Sequence, residues 1–194
     1  MLEFNLLRRT SAVVPLPETP GASVGVTPLP PEGRLSFRAR AKALAGRADV
    51  AGFPLSGAMN TRTLAGERAA LKVGPDEWVL VCPAGECEEA MEAVAAAMGG
   101  APHSLVDVSH RDVSFEVAGP DAAAVVNAGC PIDLSPAAFP VGSATRTLLG
   151  KSDIVLARTG ADTFRITAWR SFAPYVQAFL ADAARDFGPG HVRD

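Results

Sequence analysis

Lysine is nearly absent from this 194-residue chain: Lys42, Lys72 and Lys151 are the whole set, and arginine supplies the rest of the 18 cations. Against 21 acids they leave a formal net charge of −3, so there is no global positive field for a phosphate backbone, which excludes general nucleic-acid binding. Three histidines, three cysteines and one tyrosine leave few ways to bring an acid, a base and a nucleophile together. Cys82, Cys87 and Cys130 are odd in number and none has C-x-x-C spacing, so neither a disulfide scaffold nor a zinc ribbon is encoded. His103, His110 and His191 have no cysteine at ligand spacing, which leaves no metal motif. The glycines at 46, 52, 57, 66 and 74 never form a dinucleotide or Walker loop. No apolar run approaches the roughly 18 residues of a membrane span. Met1 to Val14 carries Glu3 and Arg8-Arg9 with no long apolar core before Pro15, so no secretory leader is expected and the chain reads as cytoplasmic.

What is present is the balance of a globular protein, 48% hydrophobic and 20% charged. Residues 1–33 hold Pro15, Pro17, Pro20, Pro28, Pro30 and Pro31, and read as an extended N-terminal arm that cannot enter the interior of a sheet. Residues 34–188 read as one domain and 189–194 as a tail. Leu35, Phe37 and Ala39 alternate with polar residues as a half-buried strand does. Ala70 to Val73 and Trp78 to Cys82 flank Gly74-Pro75-Asp76-Glu77 as a hairpin, and residues 86–98 follow as a helix with Met91, Val94 and Met98 on one face. Ser104 to Val108 and Val113 to Val117 imply another strand pair, and Gly119-Pro120 opens a short helix that Gly129 closes in the left-handed conformation. Strands at 145–149, 154–158 and 164–168 precede a last helix over 171–187, striped by Phe172, Val176, Phe179, Leu180, Ala183 and Phe187. Gly74-Pro75-Asp76-Glu77-Trp78 aligns with Gly160-Ala161-Asp162-Thr163-Phe164, 86 residues on. The fold class is therefore α+β: duplicated strand-hairpin-helix units with antiparallel sheets packed against helices.

Three features could carry chemistry. Asp107-Val108-Ser109-His110-Arg111-Asp112 offers an acid, a hydroxyl and an imidazole. Adjacent residues on extended backbone point to opposite faces, however, so Ser109 and His110 are poorly placed as partners and a polar turn is the simpler reading. Cys130 follows a helix C-terminus, whereas a nucleophilic thiol favours an electropositive N-terminus, so a buried inert cysteine is expected. Arg146, Arg158, Arg165 and Arg170 lie on the last strands or their ends and could gather as a solvated face, an anion site or a polar protein interface. No residue is assigned a catalytic, cofactor-binding or metal-binding role.

Several segments then form a pattern: Val73-Gly74-Pro75-Asp76-Glu77-Trp78, Val106-Asp107-Val108-Ser109-His110-Arg111, Ala128-Gly129-Cys130-Pro131-Ile132-Asp133-Leu134 with Phe139-Pro140, Ala144-Thr145-Arg146-Thr147-Leu148-Leu149-Gly150, and Trp169-Arg170-Ser171-Phe172-Ala173. In this order they resemble the gamma subunit of heterotetrameric sarcosine oxidase, and Leu7-Arg8-Arg9-Thr10-Ser11 looks like that family's opening. The hairpin alone is shared with the wider glycine-cleavage T-protein superfamily. The resemblance implies a T-protein-like folate-binding-domain fold in a chain without catalytic residues or a cofactor of its own. It implies larger alpha- and beta-type flavoprotein subunits that hold FAD, FMN, NAD and tetrahydrofolate and oxidise sarcosine to glycine. The methyl carbon leaves as formaldehyde or methylene-tetrahydrofolate, with hydrogen peroxide as the second product. Nucleic acid and membrane are not implied partners. No segment matches the T-protein's catalytic aspartate region, and Val126-Asn127-Ala128-Gly129 falls at a helix end. The alternatives are a free-standing folate-binding or aminomethyltransferase-like one-carbon protein, and the equivalent subunit of an N-methylglutamate dehydrogenase.

Overall fold

The computed structural model describes residues 12, 13 and 22–188. They fall into two compact units: Pro31–Ser109 forms one, the inserted unit, and the segments up to Pro30 and from His110 onward form the other, the split unit. The chain therefore leaves one unit, builds the second and returns, where the sequence reading draws one domain over 34–188. Residues 1–11 and 14–21 of the expected arm, and the tail over 189–194, lie outside the described residues.

The first strand, β1 (Gly25–Pro28), belongs to the split unit. The inserted unit contains β2 (Gly33–Arg38), α1 (Ala41–Leu44), β3 (Asp49–Val50), β4 (Phe53–Pro54), β5 (Thr61–Ala65), β6 (Arg68–Gly74), β7 (Glu77–Cys82), α2 (Cys87–Met98) and β8 (Ser104–Asp107). Its sheet runs β5-β6-β7-β2-β8, antiparallel throughout. Period-two alternation puts Leu35 and Phe37 of β2 opposite Leu80 and Trp78 of β7 on one face. Ala90, Val94 and Met98, spaced by four along α2, complete that core. Glu88 and Glu89 in the first turn of α2 complement the helix dipole, and Gly99 ends the helix at φ 55° with its N–H on the Ala95 and Ala96 carbonyls. Each fully buried Leu or Phe contributes about 1.5–3 kcal/mol of transfer free energy.

The split unit adds β9 (Asp112–Ala118), α3 (Ala122–Asn127), β10 (Ala144–Leu149), β11 (Ser152–Gly160), β12 (Thr163–Trp169) and α4 (Ala173–Arg185). Its antiparallel sheet runs β1-β9-β12-β11-β10. Phe115, Val117, Phe164, Ile166, Ile154 and Leu156 form a core with Val125 and Val126 of α3 and Val176 and Leu180 of α4.

The duplication is deeper than the sequence match. The β6–β7 register slips between Lys72 and Gly74, and the β11–β12 register slips between Arg158 and Gly160, 86 residues later. The 3-10 turn Ala84–Glu86 leads into α2 at Cys87, as Arg170–Phe172 leads into α4 at Ala173, again 86 residues apart.

Four expectations change. Ser104–Asp107 and Asp112–Ala118 do not pair with each other: β8 joins β2, and β9 joins β1 and β12, because the turn between them is where the chain passes from one unit to the other. Residues 25–28 of the expected arm form the outer strand beside β9, a position that tolerates the terminal Pro28. Gly119, at φ 134°, permits this, since a Cβ there would overlap the Ser23 carbonyl. Gly129 is absent from the positive-φ glycines; α3 ends on right-handed Ala128, and Gly129 is needed for space. A Cβ on it would sit 2.5 Å from Phe179 Cζ and 3.0 Å from the Gly150 nitrogen, which donates to the Gly129 carbonyl at 2.9 Å. Phe172, placed on the buried stripe from sequence, lies in the 3-10 turn and is exposed.

Gly129→Ala is expected to destabilise the protein by about 1–3 kcal/mol in urea unfolding, because overpacking forces Phe179 to shift. Gly85→Ala, where a Cβ meets nothing within 4 Å, is the matched control and should move the midpoint little.

Candidate functional site

The most chemical-looking stretch of sequence closes a corner of the inserted unit. Ser109 Oγ donates to Asp107 Oδ1 at 2.5 Å and accepts the Arg34 N–H at 2.9 Å, while the Ser109 N–H also donates to Asp107 Oδ1 at 2.8 Å. Cys87 Sγ lies 3.4 Å from the same hydroxyl. Asp107 and Ser109 thus form an Asx turn that ties the end of β8 to the start of β2 and to the first residue of α2. His110 is exposed on the next turn. Burial raises the Cys87 thiol above its ordinary range, against the opposing hydrogen bond from Ser109. Burial, with the neighbouring Cys87, pushes Cys82 from 9.0 up to about 12. Both are therefore protonated at neutral pH and poor nucleophiles.

Cys130 is buried with its sulfur 3.8 Å from Thr147 Oγ1. It opens a loop that is held from three sides. Asn127 Nδ2, at the end of α3, donates to the Cys130 carbonyl at 3.0 Å and the Ile132 carbonyl at 2.7 Å. Asp133 Oδ1 accepts the Ser135 N–H at 2.8 Å, which holds the Asp133 carboxyl below the usual range. Arg158 Nη1 donates to the Leu134 and Phe139 carbonyls, both at 3.0 Å.

Arg158 is the main departure from the expected arginine surface. It is 5% exposed, its guanidinium lies 5.1 Å from the Phe164 ring centroid, and its other nitrogens donate to the Gly160 and Ala161 carbonyls. Its register places it on the helix-covered face of the sheet with Ile154 and Leu156. Arg146 and Arg165 lie on the opposite face, Arg165 directly across from Glu116 on β9. The Arg170 N–H is bound to the Arg111 carbonyl. The four arginines therefore do not gather. Among the described residues no group of three His, Cys, Asp or Glu side chains could hold a metal ion, and no helix is long and apolar enough to cross a membrane. Asn127 and Arg158, which organise the Cys130 loop, were not singled out for that role in the sequence, where nothing local marks the carbonyls they meet.

Two five-stranded antiparallel sheets, each with helices and a common bulged hairpin, define the class of fold. A chain of the glycine cleavage system aminomethyltransferase T from Bartonella henselae shares it at TM-score 0.63 and 18% identity, over 85% of this chain and 50% of that one. More particularly, this chain belongs to the sarcosine oxidase, gamma subunit family, whose model matches residues 39–186. It is 38% identical over 119 residues to the sarcosine oxidase subunit gamma of Corynebacterium sp. strain P-1, covering 61% of this chain and 58% of that protein. The corresponding subunit of strain U-96 is 34% identical over 124 residues, covering 64% and 60%. The matched segments thus span less than two thirds of these relatives. A chain in the structure of the heterotetrameric sarcosine oxidase from Corynebacterium sp. U-96 superposes at TM-score 0.77 and 29% identity, over 91% of both chains.

Replacing Arg158 by Met is expected to cost at least about 3 kcal/mol in urea unfolding, since it strips a charged donor from several buried carbonyls. A loss below about 1 kcal/mol would show that those carbonyls find other partners. For Cys82, folding favours the protonated thiol. Its contribution is therefore complete below pH 9.0 and declines as pH rises toward about 12. Stability should fall over that window by up to about 1.4 kcal/mol per pH unit, and the slope should flatten in Cys82→Ala.

Proposed function

We propose that the chain serves as the gamma subunit of a heterotetrameric sarcosine oxidase and contributes architecture, with the chemistry carried by the other subunits. The observation that carries this reading is the full-length likeness, 91% of both chains, to a chain of a heterotetrameric sarcosine oxidase. In this reading larger alpha- and beta-type flavoproteins hold FAD, FMN, NAD and tetrahydrofolate. In those subunits sarcosine would be oxidised to an imine, with its two electrons reducing oxygen to hydrogen peroxide; water would then release glycine and formaldehyde, or tetrahydrofolate would take the methylene group and release glycine.

The side chains of this chain support a binding role. The nucleophile candidates the sequence offered, Ser109 and Cys130, are committed to a turn and to the core, and Cys82 and Cys87 are held protonated. At the end of β12 and the start of α4, in contrast, Trp169, Phe172 and Tyr175 are 49%, 38% and 36% exposed. Exposed Trp and Tyr are the side chains that most often anchor protein interfaces.

Expression of the tagged chain in its native host should bring down larger, yellow chains with a flavin absorbance band and sarcosine-dependent peroxide formation. Recovery of a colourless protein without such chains would refute the reading. Trp169→Ala should lower the recovered flavin chains several-fold while leaving the melting temperature of the isolated chain nearly unchanged.

A further inference from the structure

The inserted unit carries a basic cleft that the foregoing reading does not use. It has a volume of about 980 Å³ and lies between the end of β2, α1 and the β6–β7 turn, lined by Arg38, Arg40, Lys42 and Arg47 against Asp76 and Glu77. Two of the four cations are engaged. Arg38 bridges Glu77 at 2.8 Å, and Arg47 Nη1 donates to the Ala43 and Leu44 carbonyls, both at 3.2 Å, closing the end of α1. Arg40 and Lys42 are exposed, and among the described residues no hydrogen bond or ion pair engages their side chains. A chain of net charge −3 therefore gathers a surplus of positive charge around one concavity.

The rest of the lining identifies the occupant. It consists of alanine and proline, with no aromatic ring, hydroxyl or side-chain amide. A small-molecule site fixes orientation with convergent polar groups and apolar or aromatic walls. This cleft offers instead small alanine and proline side chains and two long cations without a partner among the described residues, which suit carboxylates distributed along an extended chain. We propose that it receives an acidic segment, Asp- or Glu-rich, of the larger subunit with which this chain assembles; this rests on the proposed function above. Charge complementarity of this kind sets encounter rate and register, and it is screened by salt.

The test uses the full chain and a fluorescent hexaglutamate peptide. Saturable binding is expected at low ionic strength, weakening at least tenfold in Arg40→Glu/Lys42→Glu and on raising salt to about 0.5 M, where the Debye length falls below about 8 Å. Arg185→Glu, on the exposed end of α4, should bind as the parent does. No saturable binding, or equal binding by the double variant, overturns the proposal. Displacement of the peptide by millimolar citrate beyond that caused by sodium chloride at equal ionic strength also overturns it, by showing a small-polyanion site. Recovery of larger flavin chains from the native host separates this inference from the one it rests on. If the parent recovers none, the proposed function fails. If parent and double variant recover them equally, the function stands and the cleft is not the contact.

Discussion

A buried guanidinium holds the split unit together. Among the described residues Arg158 has no carboxylate partner; its charge is met by carbonyls of Leu134, Phe139, Gly160 and Ala161 and by the face of Phe164. Bringing an isolated cation out of water is unfavourable, so this arrangement persists only while all those acceptors converge. The convergence fixes the long connection between α3 and β10. The inserted unit repeats the device in a milder form. Lys72, 86 residues earlier, lies 5.4 Å from the Trp78 ring centroid and donates to the Gly57 carbonyl at 3.3 Å, holding the connection that leads into β5. In both units a bulge beside the cation shifts the hairpin register. Ordinary period-two alternation puts Arg158 on the face of Ile154 and Leu156 and Lys72 on the face of Ala70, and the bulge follows each cation on the way into the turn.

This explains why the repeat is faint in sequence and plain in structure. A cation over an aromatic ring can be Lys over Trp or Arg over Phe, so the device survives where identity does not. The hairpins and main helices were legible because their signals are local: turn residues between alternating runs, a Gly after α2, apolar positions every three or four residues. What sequence could not supply was which strand fills each sheet's outer place. After α2 the chain provides β8 for its own sheet, whereas the matching place beside β9 is filled by β1, which precedes the whole inserted unit. Pairing of residues 25–28 with 115–118 leaves no local trace, and the proline content of the early chain points away from it.

The candidate chemistry was legible to the same degree. That Ser109 would sit in a polar turn follows from extended-chain geometry, and the structure supplies the partners, Asp107 and Arg34. The arginine surface was misjudged at Arg158, because a charged residue in a strand gives no sign of facing the core until its carbonyl acceptors are in place. Burial of such a side chain depends on atoms more than a dozen residues away, at Leu134 and Phe139.

The segment Gly129-Cys130-Pro131-Ile132-Asp133-Leu134, one of those that carry the family resemblance, makes a set of structural contacts. Gly129 gives passage to Phe179 and pairs with Gly150; Cys130 fills the core; the Cys130 and Ile132 carbonyls receive Asn127. Asp133 caps Ser135, and Leu134 buries its side chain while giving its carbonyl to Arg158. Two positions are restricted by space: a Cβ at 129 meets a ring, and a larger residue at 130 overfills the core. The segment builds a corner of the split unit in which the Asn127 amide, the Arg158 guanidinium and the Asp133 carboxylate each hold part of the connection between α3 and β10.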